Sequence, residues 1–287
     1  MAMNEPEFIA ALRSLPLHPG ARNLEDDCAL ITIGSETLVI NHEMMAEGTH
    51  FRPDADMADV AWKLVATNVS DLAAKGAEPV GVLLGHSLGR DDARFLQGLK
   101  EALQAFDVRL LGGDTVAVTG ASTFAMTAIG RATHHPVPAR RGAKLGDAIY
   151  VTGTIGCAML GFEGAAHHRA AFDRPEPRLI EGLALAPHVS AMMDVSDGLL
   201  LDCWRMANLN GVAFAIDPVA VPVADAARRD ECMRWGDDYE LLFTAAPDVA
   251  LPVAASRIGN VVAAGLAPLV LGGNSFPTAD NLGYWHG

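Results

Sequence analysis

Strand-length and helix-length apolar segments alternate through both halves of this 287-residue chain. That interleaving confines it to an α/β (α+β) class. A short helix is expected near Pro6–Leu15, followed by strands at Cys28–Ile33 and Thr37–Asn41 around a Gly34-Ser35-Glu36 turn. Val60, Leu64, Val65, Val69 and Leu72 fall near a helical period and predict a helix over Asp59–Gly76. A strand at Val80–Leu88 and a helix at Asp91–Phe106, with Asp91 as its candidate cap, come next. A short strand at Val108–Leu111 then runs into Gly112-Gly113-Asp114-Thr115, and another is expected at Thr123–Thr133. The polar, proline-containing stretch His134–Pro138 with Arg140-Arg141-Gly142 sets the expected boundary between a domain 1–138 and a domain 139–287. The second half predicts a strand at Ala148–Thr152, a Gly153–Gly156 turn and two helices. After them come a strand at Ala191–Asp194, a helix at Leu199–Leu209, and strands at Val212–Ile216 and Tyr239–Thr244.

Half of the residues are hydrophobic, enough for a sizeable core, yet no apolar run approaches the ~18 residues of a membrane span. The N-terminus lacks the basic and apolar regions of an export signal, so a cytoplasmic protein is expected. The cysteines (Cys28, Cys157, Cys203, Cys232) have no zinc or CxxC spacing and read as buried thiols. A net charge of −14 argues against a nucleic-acid partner. It also means that any anionic substrate must be held by local Arg or Lys, by backbone N–H groups, or by bridging cations. There is no G-x-x-x-x-G-K-[ST] loop and no protein-kinase signature. The pairs His134-His135 and His167-His168 are neighbours that do not share a face, and they read as surface histidines.

The acidic residues are more informative. Asp27, Glu43, Asp71, Asp114, Asp194, Asp197 and Asp237 sit at the ends of the expected elements, beside small residues. Carboxylates at strand ends can converge on one rim of a sheet, and Mg²⁺ is bound by a few such groups together with phosphates and water. Each also has a plainer reading. Asp197 can be only a helix N-cap, Asp71 can pair with Lys75 at i,i+4, and Asp26 can be a turn residue.

The neighbours of these acids carry a family likeness. EDDCAL (25–30), EGTHF (47–51), NVSDLAAKGAEP (68–79), GGDT (112–115), GDAIYVTGTIG (146–156), MDVSDGLLLD (193–202) and GDDYELLFT (236–244) occur in this order. The series resembles the thiamine-monophosphate kinases of the aminoimidazole ribonucleotide synthetase-like superfamily. The resemblance implies a two-domain fold whose N-terminal domains form a dimeric β-barrel. The implied activity is ATP-dependent phosphorylation of thiamine monophosphate to thiamine diphosphate, assisted by several Mg²⁺ ions.

Carried over by motif, Asp27, Asp71, Asp114, Asp194 and Asp197 match metal ligands. Gly113, Asp114, Arg140 and Ser196 match ATP contacts. His50, Asp237 and Tyr284 match substrate contacts. The sequence departs from the family where a Ser/Thr-Thr-Asp metal-binding run is usual, for here it reads Asn41-His42-Glu43. Glu43 keeps the carboxylate one methylene further out, Asn41 offers a carbonyl oxygen, and His42 is a poor ligand for so hard a cation. The acceptor is a phosphate monoester with a second pKa of ~6, so no general base is expected. Two other readings stay open on the residues alone: a sister synthetase activity, and a non-catalytic paralogue that only binds nucleotide or metal.

Overall fold

Buried and exposed side chains alternate along residues 36–46 and 123–132, the signature of strands with one face on a core. The computed structural model describes residues 3–285. Its first half holds α1 (Glu5–Leu12), β1 (Ala29–Ile33), β2 (Glu36–Ala46), α2 (Met57–Ala74), β3 (Ala77–Leu88), α3 (Asp92–Ala105), β4 (Leu110–Ala117) and β5 (Thr123–Ala132). The five strands form one sheet in the order β1-β2-β5-β3-β4. It is antiparallel except for the parallel pair β3–β4.

The second half holds β6 (Ala148–Val151), α4 (Cys157–Phe162), α5 (Arg169–Asp173), α6 (Leu179–Leu185), β7 (Ala191–Asp194), α7 (Leu199–Asn210), β8 (Val212–Ile216) and α8 (Arg229–Arg234). It ends with β9 (Leu241–Ala245), β10 (Ser256–Ala263), β11 (Leu269–Leu271) and β12 (Asn274–Phe276). These seven strands form a second sheet, in the order β12-β11-β8-β10-β6-β9-β7.

Helix α2 joins the halves. An ordinary surface helix buries one stripe, but α2 is buried almost all round because it is covered from both sides. Leu64, Val65 and Val69 pack with Val39, Phe124, Met126 and Ala128 of the first sheet. Ala73 and Ala74 pack with Tyr150, Leu185, Met192 and Phe243 of the second half. The approach of α6 is close enough that a Cβ on Gly182 would lie 2.0 Å from the Ala73 carbonyl oxygen, so only glycine fits there.

Several expectations are corrected. Strand β2 runs through to Ala46, so Asn41-His42-Glu43 lies within a strand and not beyond its end. Strand alternation then turns His42 away from Asn41 and Glu43, and its Nδ1 meets Thr127 Oγ1 at 2.9 Å. The strand expected at Val108–Leu111 instead spans Leu110–Ala117, so Gly112–Thr115 forms the middle of β4. Asp91 has a left-handed backbone and caps nothing with its side chain. Three short helices, not two, follow Gly156, and β10, β11 and β12 occupy a region for which no strand was expected.

Candidate active site

The last turn of α2, the start of β1, the middle of β2 and the end of β7 converge beside a cavity of about 600 Å³. Asp71 comes from the buried helix, Asp194 from the last residue of β7, and Asp27 from the turn entering β1. One carboxylate oxygen from each lies within 4.8 Å of the others. Asn41, on the inward face of β2, donates from Nδ2 to Asp71 Oδ2 at 2.7 Å. Its Oδ1 is buried without a hydrogen-bond partner. Ser70 donates to Asp194 Oδ2 at 2.5 Å, tying α2 to β7.

The electrostatics divide these carboxylates into two kinds. Burial alone would raise the Asp27 carboxyl, but Arg140 and then Lys75 outweigh it and hold it well below the usual range. Asp71 is pushed well up by burial and by Asp194 and Glu43. Asp194 is pushed to about 6 by burial and Asp27, in spite of the Ser70 hydrogen bond. Glu43 is pushed to about 7 by burial and by Asp194, Asp27 and Asp197. Unpaired buried carboxylates that repel one another, beside an orphaned amide oxygen, suit a divalent cation with oxygen ligands. On that ground Asp71, Asp194, Glu43 and Asn41 fit Mg²⁺, and Asp27, although paired with Lys75 and Arg140, brings an oxygen within 4.8 Å of Asp71 and Asp194.

The other residues of interest fall into three groups. His50, Arg140, Ser196, Asp197, Asp237 and Tyr284 line the same cavity as Asp27, Glu43, Asp71 and Asp194. His50 Nδ1 accepts from the Ala46 N–H at 3.1 Å, which places the ring proton on Nε2. Asp237 has a left-handed backbone (φ 61°) and pairs with Lys63. Asp197 does not cap α7; it pairs with Arg205, while the N-cap is Gly198. The second group is His42, whose side chain lies on the opposite face of the sheet from the carboxylates. The third is Gly113 and Asp114, which lie on the exposed edge strand β4 and do not line the cavity. At Gly113 (φ 154°) a Cβ would come 1.9 Å from the Leu84 carbonyl oxygen, so this glycine lets β4 approach β3.

Sequence reasoning passed over three residues here. Lys63, Arg205 and Asp202 hold or orient the carboxylates. Asp202, buried and pushed up to about 7 against the pull of Arg205, accepts from the Ser196 and Asp197 N–H groups at 3.2 and 3.3 Å. It stands inside the MDVSDGLLLD motif, so its spacing from Asp197 on α7 was a signal. Lys75 was read as a partner of Asp71. It reaches instead to Asp26 and Asp27. Asp26, read as a turn residue, is also ion-paired with Arg22.

Comparison with known proteins places this arrangement. Residues 25–132 match the AIR synthase related protein, N-terminal domain, and residues 144–266 its C-terminal domain. The thiamine-monophosphate kinase of Salmonella typhimurium is 37% identical over 267 residues, which cover 82% of this chain and 80% of that protein. The crystal structure of the thiamine-monophosphate kinase from Stenotrophomonas maltophilia is 32% identical, with a TM-score of 0.76 over 94% of this chain and 96% of that one. AaThiL complexed with AMPPCP and TMP shares the fold, with a TM-score of 0.89 over 100% and 99% of the two chains, at 24% identity. This chain belongs to the thiamine-monophosphate kinase family, within the AIR synthase related proteins.

Proposed function

We propose that this kinase transfers the γ-phosphoryl group of ATP to thiamine monophosphate, giving thiamine diphosphate and ADP. The observation that carries the reading is the convergence of Asp27, Asp71 and Asp194 in the cavity that also reaches His50, Asp237 and Tyr284. Asp27, Asp71 and Asp194, with Glu43 and the Asn41 oxygen, would hold Mg²⁺. Bound there, the ions would neutralise the repulsion between two anionic substrates. Arg140 and Ser196 line the nucleotide side. His50, Asp237 and Tyr284 line the acceptor side, with the Nε2–H of His50 as a donor to the acceptor phosphate.

An oxygen of the acceptor phosphate attacks the γ-phosphorus, and the bond to the β–γ bridging oxygen breaks. The acceptor is already largely a dianion at neutral pH, so no side chain need remove a proton. The work of the protein is positioning and electrostatics.

The halves 1–138 and 139–287 act as two domains, the first contributing Asp27, Asn41, Glu43 and Asp71 and the second Arg140, Asp194 and Ser196 to the site. The kinase works as a homodimer in the cytoplasm. Support for the dimer comes from the exposed apolar side chains Val80, Leu83, Leu111 and Val116 on β3 and β4, a face that a second copy would cover. That packing would carry the edge strand bearing Gly113 and Asp114 to a nucleotide. None of the described helices is long and apolar enough to cross a membrane.

The test is an assay with ATP, Mg²⁺ and thiamine monophosphate that scores thiamine diphosphate directly. Formation of thiamine diphosphate supports the reading. ATP hydrolysis without it, or no turnover, would refute it.

A further inference from the structure

Lys75 is among the largest fully buried side chains of the described residues. It follows the last residue of α2 and turns inward, not out to water. Its Nζ lies 2.5 Å from Asp26 Oδ1, 2.5 Å from Asp27 Oδ2 and 3.4 Å from the Met192 carbonyl oxygen. Those acceptors account for the three N–H bonds of an ammonium. The other oxygen of Asp27 is taken by Arg140. Both oxygens of a proposed metal ligand therefore already carry a protein cation. By contrast, among the described residues no basic side chain pairs with Asp71, Asp194 or Glu43.

An ammonium costs a great deal to bury unless it is matched by opposite charge. A position that only needed filling would be served by an apolar side chain of the same length. What Lys75 supplies is a fixed positive charge between two adjacent carboxylates, where a divalent ion would otherwise be drawn.

We propose that Lys75 is a built-in cation that takes the place of a divalent ion at Asp26 and Asp27. Asp71, Asp194 and Glu43 are then left as the open carboxylates of the site. Asp27 reaches a metal only through its remaining lone pairs, in the orientation that Lys75 and Arg140 fix, so Lys75 is a positioning residue. This rests on the reading that the carboxylates hold divalent cations.

The experiment counts Mn²⁺ bound per chain, by electron paramagnetic resonance, in the presence of AMPPCP. Lys75→Met is expected to bind one more Mn²⁺ than wild type, and Lys75→Arg the wild-type number. Equal counts in Lys75→Met and wild type would overturn the proposal. Asp26→Asn should keep the wild-type count, and the loss of one ion there would also overturn it. Should no variant fold, wild-type crystals soaked in Mn²⁺ and AMPPCP decide the matter. Anomalous density is expected beside Asp71 and Asp194, and a peak between Asp26 and Asp27 overturns the proposal. If wild type binds no Mn²⁺ at all, the cation-site reading itself fails and takes this proposal with it.

Discussion

The Lys63 ammonium sits 2.8 Å from Asp237 Oδ2 and 4.0 Å from the centre of the Phe172 ring. Lys63 lines the main cavity and also a second cavity of about 340 Å³ between α2 and α4–α5. Its side chain is 5% exposed and that of Asp237 is 31% exposed, so the cation is the desolvated partner. Asp237 also accepts from Tyr239 Oη at 2.8 Å, and Asp237 and Tyr239 both have left-handed backbones. The strained loop is thus pinned to α2 by this pair.

Thiamine monophosphate carries a cationic ring and an anionic phosphate, and Lys63 and Asp237 offer the complementary charges. Lys63→Met should raise KM for thiamine monophosphate on the order of tenfold, the scale of one lost charge-assisted hydrogen bond. KM for ATP should change little. Asp237→Asn should act in the same direction, and the double variant should be less impaired than the sum of the two. Equal effects on both substrates, or strict additivity, would separate Lys63 from the acceptor site.

Stability without metal should depend on pH in a definite direction. The Asp194 and Glu43 carboxyls are raised to about 6 and about 7 in the folded protein, above their ordinary values of 3.8 and 4.5, and Asp71 is raised as well. Folded protein therefore holds more protons than unfolded chain between roughly pH 4 and 7, so stability falls as pH rises through that window. Melting in EDTA should shift downward from pH 5 to pH 8, and Mg²⁺ at pH 8 should restore most of the loss. A melting temperature in EDTA that is flat or rising with pH would count against the uncompensated cluster.

Asp114 and Gly113 should separate function from folding. Asp114 is exposed, and its carboxylate accepts only from the Thr115 N–H among the described contacts. Asp114→Asn should lower turnover by about 100-fold or more, the scale of a lost transition-state interaction, with an unchanged melting temperature. Gly113→Ala meets both an unfavourable backbone and a carbonyl at 1.9 Å. It should cost about 2 kcal/mol or more and lower the melting temperature. Near-wild-type turnover in Asp114→Asn would remove that carboxylate from the reaction.

Much of this was legible in the sequence, for reasons that differ by residue. Asp27, Asp71 and Asp194 stood beside recognisable neighbours, and the acids at element ends gave them away. Lys75 was not legible, because its four-residue spacing from Asp71 suggests a local helix pair. The chain turns at Gly76 and sends the ammonium to residues 48 and 49 positions earlier. Strand β10 was hidden because Arg257, Gly259 and Asn260 break its apolar pattern, and β11 because it is only three residues long. His42 was misread because β2 was ended too early. Once the strand continues, its period of two sends His42 to the far face.

That last correction changes what Glu43 must do. On β2 it points with Asn41 toward the carboxylates, while His42 faces Thr127. The departure from the family therefore reduces to the extra methylene of Glu43 and to Asn41. Mg²⁺ requires near-octahedral oxygen ligands at ~2.0–2.1 Å and tolerates a displaced carboxylate poorly. Glu43→Asp should lower the Mg²⁺ needed for half-maximal rate a few-fold, and Glu43→Gln should raise it, since the amide carries no charge. His42→Thr alone should leave the Mg²⁺ midpoint where it is, because its side chain lies across the sheet. If the midpoint moves with His42 and not with Glu43, the inward face of β2 is not the metal face. The orientation of this strand toward the cluster would then have to be reassigned.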